Sequence, residues 1–331
     1  MGDMALSVLF LGGTGTISSA TVARALALGH RVTIVTRGRS ARAVPDGVTQ
    51  LTADLFDPGS VAAAVGGREF DVVAQFMAFT PEHVTADVER FAGRTGQYVF
   101  VSSASAYQKP PARLPVDDAT PLRNPFWQYS RDKIACEDVL VGAYRETGFP
   151  LTIVRPSHTY DRTGVPTLGG WTDVARMRAG RPVVVHGDGT SLWTLTHADD
   201  VAVGIAGLFG RADAIGDAFT VTGDHAPTWD QIYTWLGAAA GVEPELVHVA
   251  SETIARAVPE LGPGLLGDKA HSVVFDTSRL RALVPGFATT TTYDLGAVEQ
   301  VEWFDAHPEL QAVDPELDTA FDRLVAHARA F

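Results

Sequence analysis

Residues 5–27 constrain the fold more tightly than any other stretch. They read "ALSVLFLGG" and then "TGTISSATVARALA": an apolar run, a glycine turn and a helical pattern. The run is only about eight residues, too short to span a membrane, and no basic leader precedes it. It is expected to be a buried strand. The turn that follows gives Gly12-x-x-Gly15-x-x-Ser18. Glycine lets the backbone turn tightly and approach a pyrophosphate, and a helix start offers free N–H groups and a partial positive charge. Ser18 stands where a third small residue serves close helix–strand packing. Gly12, Gly15, Thr16 and Ile17 are thus the expected phosphate-binding residues, the alternative being a glycine turn with no ligand.

The pattern repeats. "HRVTIVTRG", "FDVVAQFMA", "GQYVFVSSAS" and "PLTIVRPS" read as apolar strands, separated by helical stretches such as "SVAAAVGG" and "PEHVTADVERFAGR". Apolar strands alternating with helices imply a parallel sheet covered on both faces. Right-handed crossovers then make it a doubly wound, Rossmann-type α/β sheet. After Pro156 glycine, proline and aromatic residues become frequent, and "DAFTVTG" at 217–223 reads as a strand returning to the sheet. The expected division is a dinucleotide-binding core over 1–160, with 191–225 returning to it. Residues 161–190 and 226–331 form a smaller, interleaved substrate lobe.

The strand "VTIVTRGRS" ends in Thr36 and Arg37 where a dinucleotide fold commonly has an acid for the ribose hydroxyls. An arginine there suits a 2′-phosphate, so NADP is expected, with NAD as the alternative. Arg39 and Arg42 lie nearby. In "TADLFD", Asp54 and Leu55 are placed to meet an adenine ring, or Asp54 simply ends the strand.

Chemistry is expected at two later points. "YVFVSSASAY" ends a strand at its carboxyl edge, where open α/β sheets bind ligands, and brings Ser102, Ser103 and Ser105 there. "FWQYSRDKIACEDVL" places Tyr129 and Lys133 one helical turn apart on one face. A lysine ammonium beside a phenol lowers its pKa from about 10 and makes it a usable proton shuttle. A serine hydroxyl opposite can hold a substrate oxygen while hydride moves at the carbon bearing it.

In this order, "GGTGTIS", "ADL", "VSSASAY", "YSRDK", "TIVRPSHTY" and "GDGTSLWTLTHADDVA" resemble the short-chain dehydrogenase/reductases, in their extended, atypical epimerase/dehydratase-like branch. The resemblance covers most of the chain and loosens after residue 160. It implies Ser103, Tyr129 and Lys133 as catalytic residues and adds Lys133 and Pro156 to the cofactor contacts. His158 replaces an asparagine that faces substrate in many members. Trp193 replaces an arginine that grips the diphosphate of nucleotide sugars, and no second diphosphate arginine is found in the C-terminal lobe. Ser105, His158 and Trp193 are accordingly the expected substrate residues. Trp193 and Trp171 would either stack on a sugar or base, or pack the lobe.

Net charge is −13, from 26 basic and 39 acidic residues, which disfavours nucleic-acid and anionic-membrane surfaces. The one cysteine, Cys136, precludes an internal disulfide and suits a cytoplasmic setting. His197 is expected to be structural and no metal is expected, since no histidine spacing fits one. The leading expectation is an epimerase that transiently oxidises a hydroxyl of a carbohydrate-like small molecule. An NADPH-dependent reductase or dehydrogenase is the runner-up, and a non-catalytic dinucleotide sensor the reading from another class. A homodimer is the family habit.

Overall fold

The computed structural model describes residues 5–330; residues 1–4, on which the reading of a leaderless start partly rests, lie outside them. The first half is β1 (Ser7–Leu11), α1 (Thr16–Ala27), β2 (Arg31–Thr36), β3 (Thr49–Thr52), α2 (Pro58–Val65), β4 (Phe70–Gln75), α3 (Pro81–Phe91) and β5 (Thr95–Val101). Then come α4 (Gln128–Thr147), β6 (Leu151–Pro156), β7 (His158–Tyr160), α5 (Trp171–Arg178), β8 (Val183–His186) and β9 (Leu195–His197). The labelled elements end with α6 (Ala198–Gly207), β10 (Ala218–Val221), α7 (Trp229–Ala239) and β11 (Leu246–Val249).

Seven strands pair in parallel in the order β10-β6-β5-β4-β1-β2-β3. The order reverses between β1 and β4, and that switch point opens a crevice at the carboxyl ends of the strands. Alternation along each strand divides the core. Val8 and Phe10 of β1 pack on the face covered by Val22 of α1 and Ile205 of α6. Leu9 and Leu11 pack on the opposite face with Val84 of α3 and Leu140 of α4. Both sets are completely buried or nearly so, as a sheet covered on two sides requires. Cys136 lies in the second set, fully buried, and burial pushes its thiol up to about 12, so it is a packing residue.

The helix starts are chemically specified. Asp57 accepts from the Gly59 amide at 2.9 Å ahead of α2, with Pro58 in the first turn. His197 caps α6, its Nδ1 accepting from the Asp199 amide at 3.3 Å, while Nε2 lies 3.1 Å from Glu299. It acts as a structural turn residue.

The remaining residues build a smaller lobe around a parallel β8–β11 pair. Its core is aromatic: Trp193 stacks on Trp229 at 5.5 Å and Trp171 on Phe304 at 4.5 Å. Arg176, buried, ties this lobe to the C-terminal helix through Asp318 at 2.6 Å and Asp322 at 3.0 Å. Among the described residues no helix is long and apolar enough to cross a membrane, and no group of three or more His, Cys, Asp or Glu is placed to hold a metal.

Candidate active site

The glycine turn sits at the crevice. Gly12 and Gly13 have φ of +102° and +144°, which L side chains rarely adopt. A Cβ on Gly13 would meet Ile34 at 2.9 Å, and one on Gly12 would meet Met77 at 3.0 Å. The backbone can lie this close to its neighbours only without side chains. Ser18 does more than pack: its hydroxyl accepts from the Gly15 amide at 2.9 Å and so closes the turn. The first-turn amides of α1 have no carbonyl one turn earlier, and their residues Thr16, Ile17 and Ser18 line the crevice.

A cleft of about 300 Å³ runs from this turn to α4. It gathers Gly15, Thr16, Ile17, Ser103, Tyr129, Lys133 and Pro156 from widely separated parts of the chain. Lys133 is 1% exposed. Its ammonium donates to the carbonyls of Ala78 at 2.7 Å and Val101 at 2.9 Å, and lies 4.9 Å from the Phe79 and Phe100 ring centres. Two of its three donors are thus spent on fixing its position, and one is left for the cleft. Burial lowers its pKa to about 8, opposed by the charges of Cys136 and Glu137.

Tyr129 corrects the expectation about its phenol. Lys133 lies 5.9 Å from the ring centre, yet the phenol pKa is raised above 10, because desolvation outweighs a lowering hydrogen bond with Ser103 and Asp268 adds to the rise. Tyr129 is therefore held as a neutral acid. Ser103 is in turn positioned by Ser105, whose hydroxyl lies 2.9 Å from it and accepts from Ser130 at 2.9 Å. Ser105 is 3% exposed, and it stands behind Ser103 rather than facing a ligand. Next to Ser103, Ser102 donates to Glu137 at 2.5 Å, and Glu137 also binds Arg155 at 2.5 Å. This buried ion pair joins the carboxyl end of β5 to α4 and to β6.

The other expected residues separate. Arg37 and Arg39 are exposed and make no hydrogen bond or ion pair with a described residue. Thr36 accepts from Gln50 and from the Gly38 amide. Arg42, by contrast, is spent on Asp161 at 2.5 Å, Thr163 at 2.6 Å and Ser19 at 3.2 Å. It crosses a second groove of about 880 Å³ that shares Thr16 with the cleft. Asp54 turns one oxygen back to the Phe56 amide at 3.1 Å, so it closes its own loop, and neither it nor Leu55 lines the cleft. Trp193 does not offer an open face. It is 1% exposed, wedged between Trp229 and the edge of His158. His158 is half-buried outside the cleft, and desolvation with the nearby Lys269 holds its pKa down at about 3. Sequence reasoning missed Phe76, Met77 and Phe79 as cleft walls. Their signal was "QFMAF", directly after a strand at the switch point.

The match to the NAD dependent epimerase/dehydratase family extends over residues 8–221, most of the chain, and the chain belongs to that family. It is 27% identical to 2′-dehydrokanamycin reductase from Streptomyces kanamyceticus, over 85% of this chain and 80% of that one. It is also 27% identical to the chloroplast stem-loop binding protein of 41 kDa b of Arabidopsis thaliana, over 73% of this chain and 65% of that one. Among solved structures it resembles an epimerase from Methanothermobacter thermautotrophicus (TM-score 0.76, 15% identity, 93% of this chain and 94% of that one). It also resembles the UDP-glucose 4-epimerase of Thermotoga maritima (TM-score 0.74, 18% identity, 90% and 98%). The protein is thus an enzyme of the NAD(P)-dependent oxidoreductase/epimerase kind, with a nicotinamide cofactor.

Proposed function

We propose that this enzyme is an NADPH-dependent reductase of a ketone on a small, polar, carbohydrate-like molecule. The observation that carries the reading is the end of β2. Thr36 stands there in place of an acid, and Arg37 and Arg39 present two unpaired guanidinium groups to solvent. An acid at that point would repel a 2′-phosphate; arginines attract it. NADPH commonly serves reductions.

The glycine turn, the first-turn amides of α1 and the spare donor of Lys133 fit such a cofactor, which when bound supplies a hydride equivalent to the carbonyl carbon. The rest falls to this chain's residues. Ser103 donates a hydrogen bond to the carbonyl oxygen and orients it. Tyr129, kept neutral by burial, gives its phenolic proton to that oxygen as the hydroxyl forms. The Lys133 ammonium beside it stabilises the phenolate left behind until solvent restores the proton. The relative from S. kanamyceticus, matched over most of both chains, also bears a reductase name.

The family match favours a second reading, epimerisation with the cofactor recycled in place. Purifying the protein without added cofactor, denaturing it and identifying any released dinucleotide by mass spectrometry separates the two. Reduction predicts an empty protein that binds NADPH tighter than NADH and oxidises it with carbonyl substrates. A tightly held dinucleotide would replace this reading with epimerisation.

A further inference from the structure

Three buried polar residues stand behind Ser103 without lining the cleft: Asn124, Ser130 and Ser105 are 2%, 0% and 3% exposed. They form one chain of hydrogen bonds. Asn124 Nδ2 donates to Ser130 Oγ at 3.2 Å, Ser130 Oγ donates to Ser105 Oγ at 2.9 Å, and Ser105 Oγ lies 2.9 Å from Ser103 Oγ. The chain starts at the smaller lobe, because Asn124 Nδ2 also donates to the carbonyl of Gly267 at 2.7 Å. Gly267 belongs to a π-helical turn, Leu265–Lys269, and a Cβ on it would meet that of Trp127 at 3.0 Å and Asn124 Oδ1 at 3.2 Å. Glycine lets the turn come this close.

The direction of the chain is fixed at Asn124. Its Nδ2 donates to the Ser105 carbonyl at 2.9 Å as well, and its Oδ1 accepts from the Phe126 amide at 3.2 Å. Carbonyls only accept and an N–H only donates, so the side-chain amide can lie only this way round. Its nitrogen offers no lone pair, so the Ser130 proton goes to Ser105. The Ser105 proton then has Ser103 Oγ as its partner. The reverse arrangement, with Ser103 donating to Ser105, would leave the buried Ser105 proton with no acceptor among the described residues. Ser103 Oγ also accepts from the Ser105 amide at 3.2 Å. Both of its lone pairs are then filled, and its own proton is left for the cleft, which Ser103 lines beside Tyr129.

We propose that Asn124, Ser130 and Ser105 are positioning residues that lock the Ser103 hydroxyl as a donor into the cleft. The proposal rests on the reading in which Ser103 holds the substrate oxygen. A locked donor matches a carbonyl oxygen, which can only accept. It also ties the catalytic serine to the docking of the smaller lobe, since the Gly267 carbonyl helps to set the Asn124 amide.

Neutron diffraction from deuterium-exchanged crystals of the full chain reads the hydroxyl directions without any substrate. Deuterium is expected on the lines from Ser130 to Ser105 and from Ser105 to Ser103, with that of Ser103 turned away from Ser105. Deuterium of Ser103 on the line to Ser105 would overturn the proposal. Ser130→Ala removes the donor that forbids the reversal while keeping Ser103 and Ser105, and alanine suits a helix interior. With NADPH and a panel of keto sugars, this variant should lower kcat about tenfold, the worth of one oriented hydrogen bond, with the KM for NADPH unchanged. An unaltered kcat, or a loss shared by NADPH binding, would also overturn the proposal. If the unaltered chain reduced none of the panel, the reductase reading would fall instead, and the deuterium positions would still decide the direction of the chain.

Discussion

The carboxyl edge of the sheet and the smaller lobe treat their polar groups in opposite ways. At the sheet edge, the first-turn amides of α1, one donor of Lys133 and the guanidiniums of Arg37 and Arg39 are left for something outside the chain. In the lobe, the large charged and aromatic side chains are mostly spent on one another: Arg176 on Asp318 and Asp322, Arg178 on Asp305 at 2.7 Å, Trp193 on Trp229. The sheet edge is thus built to meet a ligand whose shape is given in advance. The lobe is built first to hold itself together.

The strongest blow to this contrast falls on α4. Tyr129→Phe should lower the turnover number by about 10² to 10⁴-fold, the usual worth of a positioned proton donor, with little change in melting temperature. A variant that kept full activity would return the molecule to the class of non-catalytic dinucleotide sensors.

In the lobe the same size of change should act on stability. Trp193→Ala should cost about 3–5 kcal/mol, as expected for emptying a fully buried indole site, read by chemical denaturation. A loss below about 1 kcal/mol would mean that Trp193 is not a packing residue.

Gly13→Ala combines a backbone at φ +144° with a 2.9 Å approach to Ile34. It should cost about 1–3 kcal/mol of stability and weaken dinucleotide binding. Arg37→Glu touches nothing in the chain, so it should leave stability within about 0.5 kcal/mol and weaken NADPH binding alone, with NADH unaffected. Equal weakening of both would deny the 2′-phosphate its place at the end of β2.

A pH dependence is expected in the lobe as well. His186 is 1% exposed, and burial lowers its pKa from 6.5 to about 4. The folded state takes up the proton less readily than the unfolded one, so stability should fall as pH drops from about 6.5 towards about 4. His186→Gln should flatten that stretch of the stability–pH curve.

The parts of the site legible in the sequence are those set by backbone geometry and helical spacing. Gly12, Gly15 and Ser18 announce a turn because only small residues suit it. Tyr129 and Lys133 announce a shared face because four residues are one turn. The parts that were not legible depend on what the chain folds against. Ser105 reads like Ser103 in "SSAS", yet one faces the cleft and the other sits behind it, bonded to Ser130. Arg42 reads like Arg37, yet Asp161, more than a hundred residues later, takes it. Phe76, Met77 and Phe79 look like strand continuation until the switch point turns them into walls.

The sequence by itself determined the doubly wound sheet, the tight glycine turn and the shared helical face of Tyr129 and Lys133, because each is written in local periodicity or spacing. Only the tertiary structure decided that the Tyr129 phenol is raised rather than lowered. It alone made Trp193 a core residue and gave Arg42 to Asp161. Desolvation and ion pairing depend on neighbours brought in from distant parts of the chain, and no local pattern encodes them.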